Sequence, residues 1–145
     1  MRFHKPEFLP ILGTLVLCLL MAVDRWLKYL APIKGWSADT LFGLQYFENT
    51  GIAGSISIPL PIVLIGSLII VSLLLGWIRA QGRLLWPLKL SAVSILLGGA
   101  SNFYDRIQYG YVIDYFKIHH AVINIADILI VAGLFTLILY TKRTK

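Results

Sequence analysis

Residues 102–131 read NFYDRIQYGYVIDYFKIHHAVINIADILIV, and the fold turns on how the last third of this stretch is read. Asp127 stands inside an apolar run that continues to Tyr140, the length of about 20 residues that a membrane-crossing helix needs. A carboxylate at that depth costs roughly 2.5–3.5 kcal/mol on insertion scales, so it must be neutralised or put to use. Asn124 lies one turn earlier, which directs both polar side chains into a bundle and away from lipid. Two more aspartates, Asp105 and Asp114, precede them in the same stretch.

Working outward, the rest of the chain agrees with a membrane setting. Of its 145 residues 58% are hydrophobic and 14% charged, with a mean hydropathy of +0.79; a soluble domain has about 45–50% and about 25%. The expected fold is therefore all-α and membrane-embedded, a single domain over residues 1–145 built as a four-transmembrane-helix bundle. The spans are expected at about 8–30, 56–77, 84–104 and 121–140. Trp26, Trp77 and Trp86 mark interfaces, and Lys89 snorkels outward. The net charge of +6 does not point to nucleic acid, because the basic residues sit at the ends of the apolar runs.

Those basic residues also set the orientation. Arg2 and Lys5, Arg79 and Arg83, and Lys142, Arg143 and Lys145 share one side of a four-span topology, the cytoplasmic side. Both termini then lie inside, and the acidic residues other than Glu7 gather at the outer face. The outer connection 31–55 contains Thr40-Leu-Phe-Gly-Leu-Gln-Tyr-Phe-Glu48, rich in β-formers, then the turn signal Asn49-Thr-Gly51. A small extracytoplasmic β element is expected at about 38–55. The one cysteine, Cys18, forms no intrachain disulfide, and Leu17 occupies the place where a lipoprotein cleavage box wants a small residue, so packing is its role. The first apolar run lacks a small-x-small cleavage site and is followed by Asp24 and Lys28, so it reads as a retained span.

Asp24 and Lys28 are spaced to pair on one helix face. Asn102, Asp105 and Arg106 end the third span, and an Asp105–Arg106 pairing reads as structural. Gly98-Gly99-Ala100-Ser101 before them permit close helix contact. Asp114 lies in the aromatic setting Tyr111-Val-Ile-Asp-Tyr-Phe116. If it meets Asp127, the two carboxylates share an apolar site and one proton, and one can activate water while the other protonates a carbonyl oxygen. That chemistry needs no metal or cofactor. His119 and His120 offer a metal alternative, but adjacent side chains diverge and rarely share one ion. An ion or proton conductor, or a catalytically silent scaffold, also accommodates buried acids.

These residues resemble lipoprotein signal peptidase (signal peptidase II), a family of bacterial membrane aspartic peptidases. Asp24-x-x-x-Lys28, Asn49-x-Gly51-x-Ala53, Gly98-Gly99-Ala100-x-Asn102-x-x-Asp105-Arg106, Val112-x-Asp114-Tyr115 and Asn124-x-Ala126-Asp127 are similar, in order, to the family's five motifs. The resemblance implies cleavage of prolipoproteins on the amino side of a diacylglyceryl-modified cysteine. Asp114 and Asp127 would be the catalytic dyad, with Asn49, Asn102, Arg106 and Asn124 positioning substrate and dyad. Asp24, Lys28, Gly51 and Asp105 would hold the fold or line the site. It also implies an extracytoplasmic β-cradle, a monomer in the bacterial inner membrane with no metal and no cofactor, and sensitivity to globomycin-type inhibitors. Gly54, the short 115–123 segment without Trp or Pro, Ile123 and Ile128 depart from the family pattern and bear on substrate fit.

Overall fold

The computed structural model describes residues 8–52, 56–80 and 85–143. Arg2, Lys5, Arg83 and Lys145, which set the expected orientation, lie outside the described residues, as do Ala53 and Gly54. Four helices make up most of the chain: α1 (Phe8–Lys34), α2 (Leu60–Ala80), α3 (Trp86–Tyr109) and α4 (Ile125–Arg143). α1 and α2 are long and apolar enough to cross a membrane. α2 buries no residue, and Ile65, Leu68, Ile69 and Leu73 stand exposed along it. Lipid tails are as apolar as these side chains, so such a helix costs nothing in a bilayer that it would cost in water.

α3 is the centre of the bundle and meets α1, α2 and α4, the last most extensively. The α3–α4 contact is close because small residues permit it. A methyl group on Gly98 would collide with the Ala126 carbonyl oxygen, and one on Gly133 with the Ser91 oxygen and Ile95. Ser94 Oγ donates to Leu129 O across the same seam at 2.7 Å. Gly110, at φ 85°, ends α3 in the left-handed conformation and returns its N–H to Arg106 O at 3.1 Å, a conformation glycine adopts without steric cost.

The described residues also form five short strands: β1 (Phe42–Asn49), β2 (Gly51–Ile52), β3 (Ile56–Ser57), β4 (Val112–Ile118) and β5 (Ala121–Ile123). β1, β4 and β5 form an antiparallel sheet in that order, and β2 pairs with β3. Ala31, Ile113 and Tyr115, with Leu27, Trp36, Tyr46 and Ile125 around them, seat the sheet on the last turns of α1. The pairing of β1 with β4 runs Phe42↔Ile118 and Leu44↔Phe116, then shifts by one residue to Phe47↔Asp114 and Asn49↔Val112. Without that bulge, strict alternation would set the Glu48 carboxylate diagonal to Asp114 on the same face. The bulge sets the Asn49 amide there instead.

The structure corrects the expected boundaries in four places. α1 continues through Lys34, beyond residue 30. Residues 56–57 are strand, and the helix starts at Leu60, after Pro59 accepts its first backbone bonds from Ile62 and Val63. α3 runs on to Tyr109, which places Asp105 and Arg106 inside it. Residues 121–123 are also strand, and α4 starts at Ile125 because Asn124 caps it. The β element is correspondingly larger than 38–55, since its central strand and one edge come from 112–123.

Candidate active site

The ten residues expected to form the site converge at one end of the bundle, where α1 and α3 finish, α4 begins and the sheet sits. The start of α4 organises it. A helix begins with backbone N–H groups that have no intrahelical partner, and here side chains satisfy all four of them. Asn124 Oδ1 accepts from Asp127 N–H at 2.8 Å, and Asp127 Oδ2 accepts from Asn124 N–H at 3.3 Å, a reciprocal capping box. Tyr115 Oη accepts from Ile125 N–H at 3.0 Å, and Asp24 Oδ1 from Ala126 N–H at 3.2 Å. Asp127 is thus held in the first turn of a helix, where the macrodipole favours negative charge.

Asp114 approaches from β4 and is fully buried. Its Oδ1 accepts from Asn124 Nδ2 at 2.5 Å and its Oδ2 from Asn49 Nδ2 at 2.9 Å. Asp127 is half-buried, and its Oδ1 accepts from Asn102 Nδ2 at 2.7 Å. Asn124 therefore touches both acids, donating to one and capping the other. Burial, with the Asp127 charge next in importance, pushes the Asp114 carboxyl up to about 7, against the opposing effect of the amides of Asn49 and Asn124 and the Lys28 charge. Asn49 Oδ1 in turn accepts from Gly51 N–H at 3.0 Å, and Gly51 O accepts from Arg106 Nη2 at 3.2 Å. The Arg106 guanidinium feels the charges of Asp127, Asp114 and Asp105, in that order.

Beneath this pair lies a second layer, buried except for Arg25 at its edge. Lys28 Nζ donates to Asp105 Oδ2 at 2.7 Å, Asn102 Oδ1 at 2.8 Å and Ser101 Oγ at 3.2 Å, and stands 3.5 Å from Asp24 Oδ2. Asp24 also accepts from Ser101 Oγ at 2.6 Å and Tyr115 Oη at 2.8 Å. Arg25 closes the layer, Nη1 donating to Asp105 Oδ1 at 2.6 Å and the guanidinium carbon lying 4.7 Å from the centroid of the Tyr104 ring. Two acids and two bases cancel here, which is what a buried ionic cluster requires.

A family model described as signal peptidase (SPase) II matches residues 16–143. The chain belongs to the signal peptidase II family. Among its relatives, a protein named lipoprotein signal peptidase from Streptococcus thermophilus is 32% identical over 136 residues, 83% of this chain and 85% of that one. One of the same name from Moorella thermoacetica is 31% identical over 134 residues, 85% and 87% of the two chains. Two solved bacterial membrane enzyme structures, obtained by the in meso method, superpose with TM-scores of 0.78 and 0.74. Each is 20% identical to this chain; they cover 90% and 89% of it, and it covers 87% and 91% of them. At that identity the likeness shows the fold alone.

All ten site residues expected from the sequence lie in this one polar region of the signal peptidase II fold. The expected Asp105–Arg106 pairing is not formed: Asp105 bonds Lys28 and Arg25, while Arg106 turns to Gly51 on the sheet. Consecutive residues on a helix point about 100° apart, so Asp105 can face α1 while its neighbour faces the strands. Sequence reading missed Arg25, Ser101 and the capping hydroxyl of Tyr115. Tyr115 stands beside Asp114 and Ser101 beside Asn102, but nothing in their spacing signals their partners on α1. Among the described residues no group of three or more His, Cys, Asp or Glu is arranged to hold a metal ion. His119 and His120 are exposed at the tip of the β4–β5 hairpin, with ring centroids 6.2 Å apart.

Proposed function

We propose that this chain is a membrane aspartic endopeptidase that removes the signal peptide from diacylglyceryl-modified prolipoproteins, cutting on the amino side of the lipidated cysteine. The observation that carries the reading is the pair Asp114 and Asp127, joined through Asn124, in a chain of the signal peptidase II family. Asp114 and Asp127 are the catalytic dyad, holding one proton between them near neutral pH. Asp114, the fully buried member, keeps that proton and donates it to the scissile carbonyl. Asp127, more accessible, takes a proton from the attacking water. The hydrated carbonyl then collapses as the nitrogen of the lipidated cysteine leaves with a proton, and the dyad returns to its singly protonated state. No metal or cofactor enters this cycle.

Asn49, Asn102 and Asn124 orient the dyad, and Arg106, tied to the 49–51 turn, balances its single negative charge. Asp24, Lys28 and Asp105, with Arg25, are the neutral foundation that fixes the start of α4. In this reading the chain crosses the bacterial inner membrane four times, with this end of the bundle at the extracytoplasmic face and both termini cytoplasmic; the basic residues Arg79, Lys142 and Arg143 at the opposite helix ends support it. The protein works as a monomer, and a globomycin-type inhibitor occupies the space over the dyad. A purified diacylglyceryl prolipoprotein incubated with the protein should shift on a gel by the mass of its signal peptide, and should not shift with Asp127→Asn. Equal cleavage by that variant would overturn the assignment.

A further inference from the structure

The sheet face that carries Asp114 does not end there. Alternation along β4 puts Phe116 and Ile118 on the same face as Asp114, and the register adds Leu44 and Phe42 from β1 and Ile123 from β5. Ile128, the residue after Asp127 on α4, closes the near end. Together these six side chains line a groove of about 370 Å³, whose remaining wall comes from Gly43 and Lys117. Phe42, Leu44, Ile118 and Ile128 are exposed on it. None of the six carries a polar atom, and the one charged residue in the wall, Lys117, turns its Nζ to Ala38 O at 2.7 Å, so water in the groove gains little from its lining. Ile123 and Ile128, two positions where the chain departs from the family pattern, both lie in it.

We infer that this groove is the subsite for an acyl chain of the substrate's diacylglyceryl group. The inference deepens the reading under Proposed function and rests on it. The lipid is attached to the cysteine whose own nitrogen leaves when the dyad cuts, so its chains must leave the site within reach of Asp114 and Asp127. The groove starts beside both: Phe116 is the next residue on Asp114's face, and Ile128 adjoins Asp127. From there it runs along the strands to Phe42 and Ile118, roughly 13 Å for the four residues from 114 to 118 at the rise of a β-strand. Its volume holds on the order of a dozen methylene-sized groups, at the ~30 Å³ that a water-sized unit occupies in a liquid. An apolar chain laid there covers the exposed aromatic and aliphatic side chains and holds the cysteine in register with the dyad.

The test compares two purified substrates, a palmitoyl and an octanoyl form of the same diacylglyceryl prolipoprotein, with the full-length protein in micelles. Wild type should favour the palmitoyl form by roughly tenfold or more in kcat/KM, chiefly through KM. Ile118→Trp, which fills the groove's far end, and Leu44→Trp, which fills it opposite Phe116, should collapse that ratio. A ratio unchanged in these variants, whether or not absolute rates fall, would overturn the inference and leave the face as a seat on the bilayer. An independent arm needs no groove variant: a palmitoyl substrate with a terminal diazirine, held by Asp127→Asn, should crosslink to β1, β4 or β5. Crosslinks confined to α2 would overturn it. Cleavage of neither substrate by wild type would instead remove the peptidase reading, and the groove's role with it.

Discussion

The clearest quantitative consequence of the site concerns Asp114→Asn, whose effect on stability should change sign with pH. In the unfolded chain the carboxyl titrates near 3.8; in the folded protein burial and Asp127 raise it to about 7. A raised carboxyl means that the native state holds a proton the unfolded state has released between those limits. Stability from this group is therefore fully present below pH 4 and lost as pH rises through 7. About three units at 1.36 kcal/mol each make the alkaline penalty roughly 4 kcal/mol. Asparagine has no proton to lose, so the variant escapes that penalty. It also presents one Nδ2 to a donor, Asn49 or Asn124, where the carboxylate accepted from both, at a cost of roughly 1–3 kcal/mol.

The variant should accordingly melt below wild type at pH 4.5 and above it at pH 8.5, a net gain of about 1–3 kcal/mol at the alkaline end. Intrinsic tryptophan fluorescence during a thermal ramp in detergent reads both, since the chain has four tryptophans. The same variant should lose roughly 10²–10⁴ in turnover, because an amide cannot pass a proton to the carbonyl. Because the two acids titrate as a pair, the comparison is between proteins and assigns no single constant to either residue. A melting difference of one sign at both pH values would refute the raised carboxyl and, with it, the division of labour between Asp114 and Asp127.

Three other outcomes follow from the same geometry. Asp114→Asn/Asp127→Asn should turn over hardly more slowly than either single variant, because the acids act as a unit; losses that multiply would separate their roles. Asp105→Asn should lower stability by roughly 3–5 kcal/mol by leaving Lys28 and Arg25 partly unpaired, read as a lower melting temperature, whereas Arg106→Gln should spare the melt and slow cleavage. With Cys18→Ala as background, a cysteine at position 37 should react with an impermeant maleimide from outside the cell and one at position 81 should not; the reverse pattern would invert the proposed topology.

Much of the bundle was legible because lipid makes the signal one-dimensional: an apolar run of sufficient length has few alternatives to a helix, and α1 and α2 lie where such runs occur. The sheet was half legible. Residues 40–49 alternate toward turn residues, but 112–118 are buried on both faces for most of their length, so no period of two stands out and the segment passes for a connection. The helix-face reading of Asn124 and Asp127 brought them together for a different reason from the one the structure uses. Their spacing is that of an N-cap and its third helical residue, and the cap explains both why the strand ends and why the acid is tolerable.

The partners of Asp105 were not legible at all, and that failure is instructive. Within α3, local spacing offers Asp105 only its neighbours, and the adjacent arginine is the obvious choice. The actual partners lie on α1, 80 and 77 residues back along the chain, at Arg25 and Lys28. Electrostatics in a low-dielectric bundle end rewards cancellation within each layer. Arg25 and Lys28 balance Asp24 and Asp105, which leaves Arg106 free to direct its charge toward Asp114 and Asp127 and, in the proposed dyad, to balance the one negative charge. Had Arg106 been consumed by Asp105, Asp114 and Asp127 would face only the charge of Lys28, which Asp24 and Asp105 already share, and the lower layer would carry a surplus positive one. The local pairing is the cheaper guess from sequence and the costlier arrangement in three dimensions. The residue it misplaces is the cation that ties the β1–β2 turn to α3 and directs its charge toward Asp114 and Asp127.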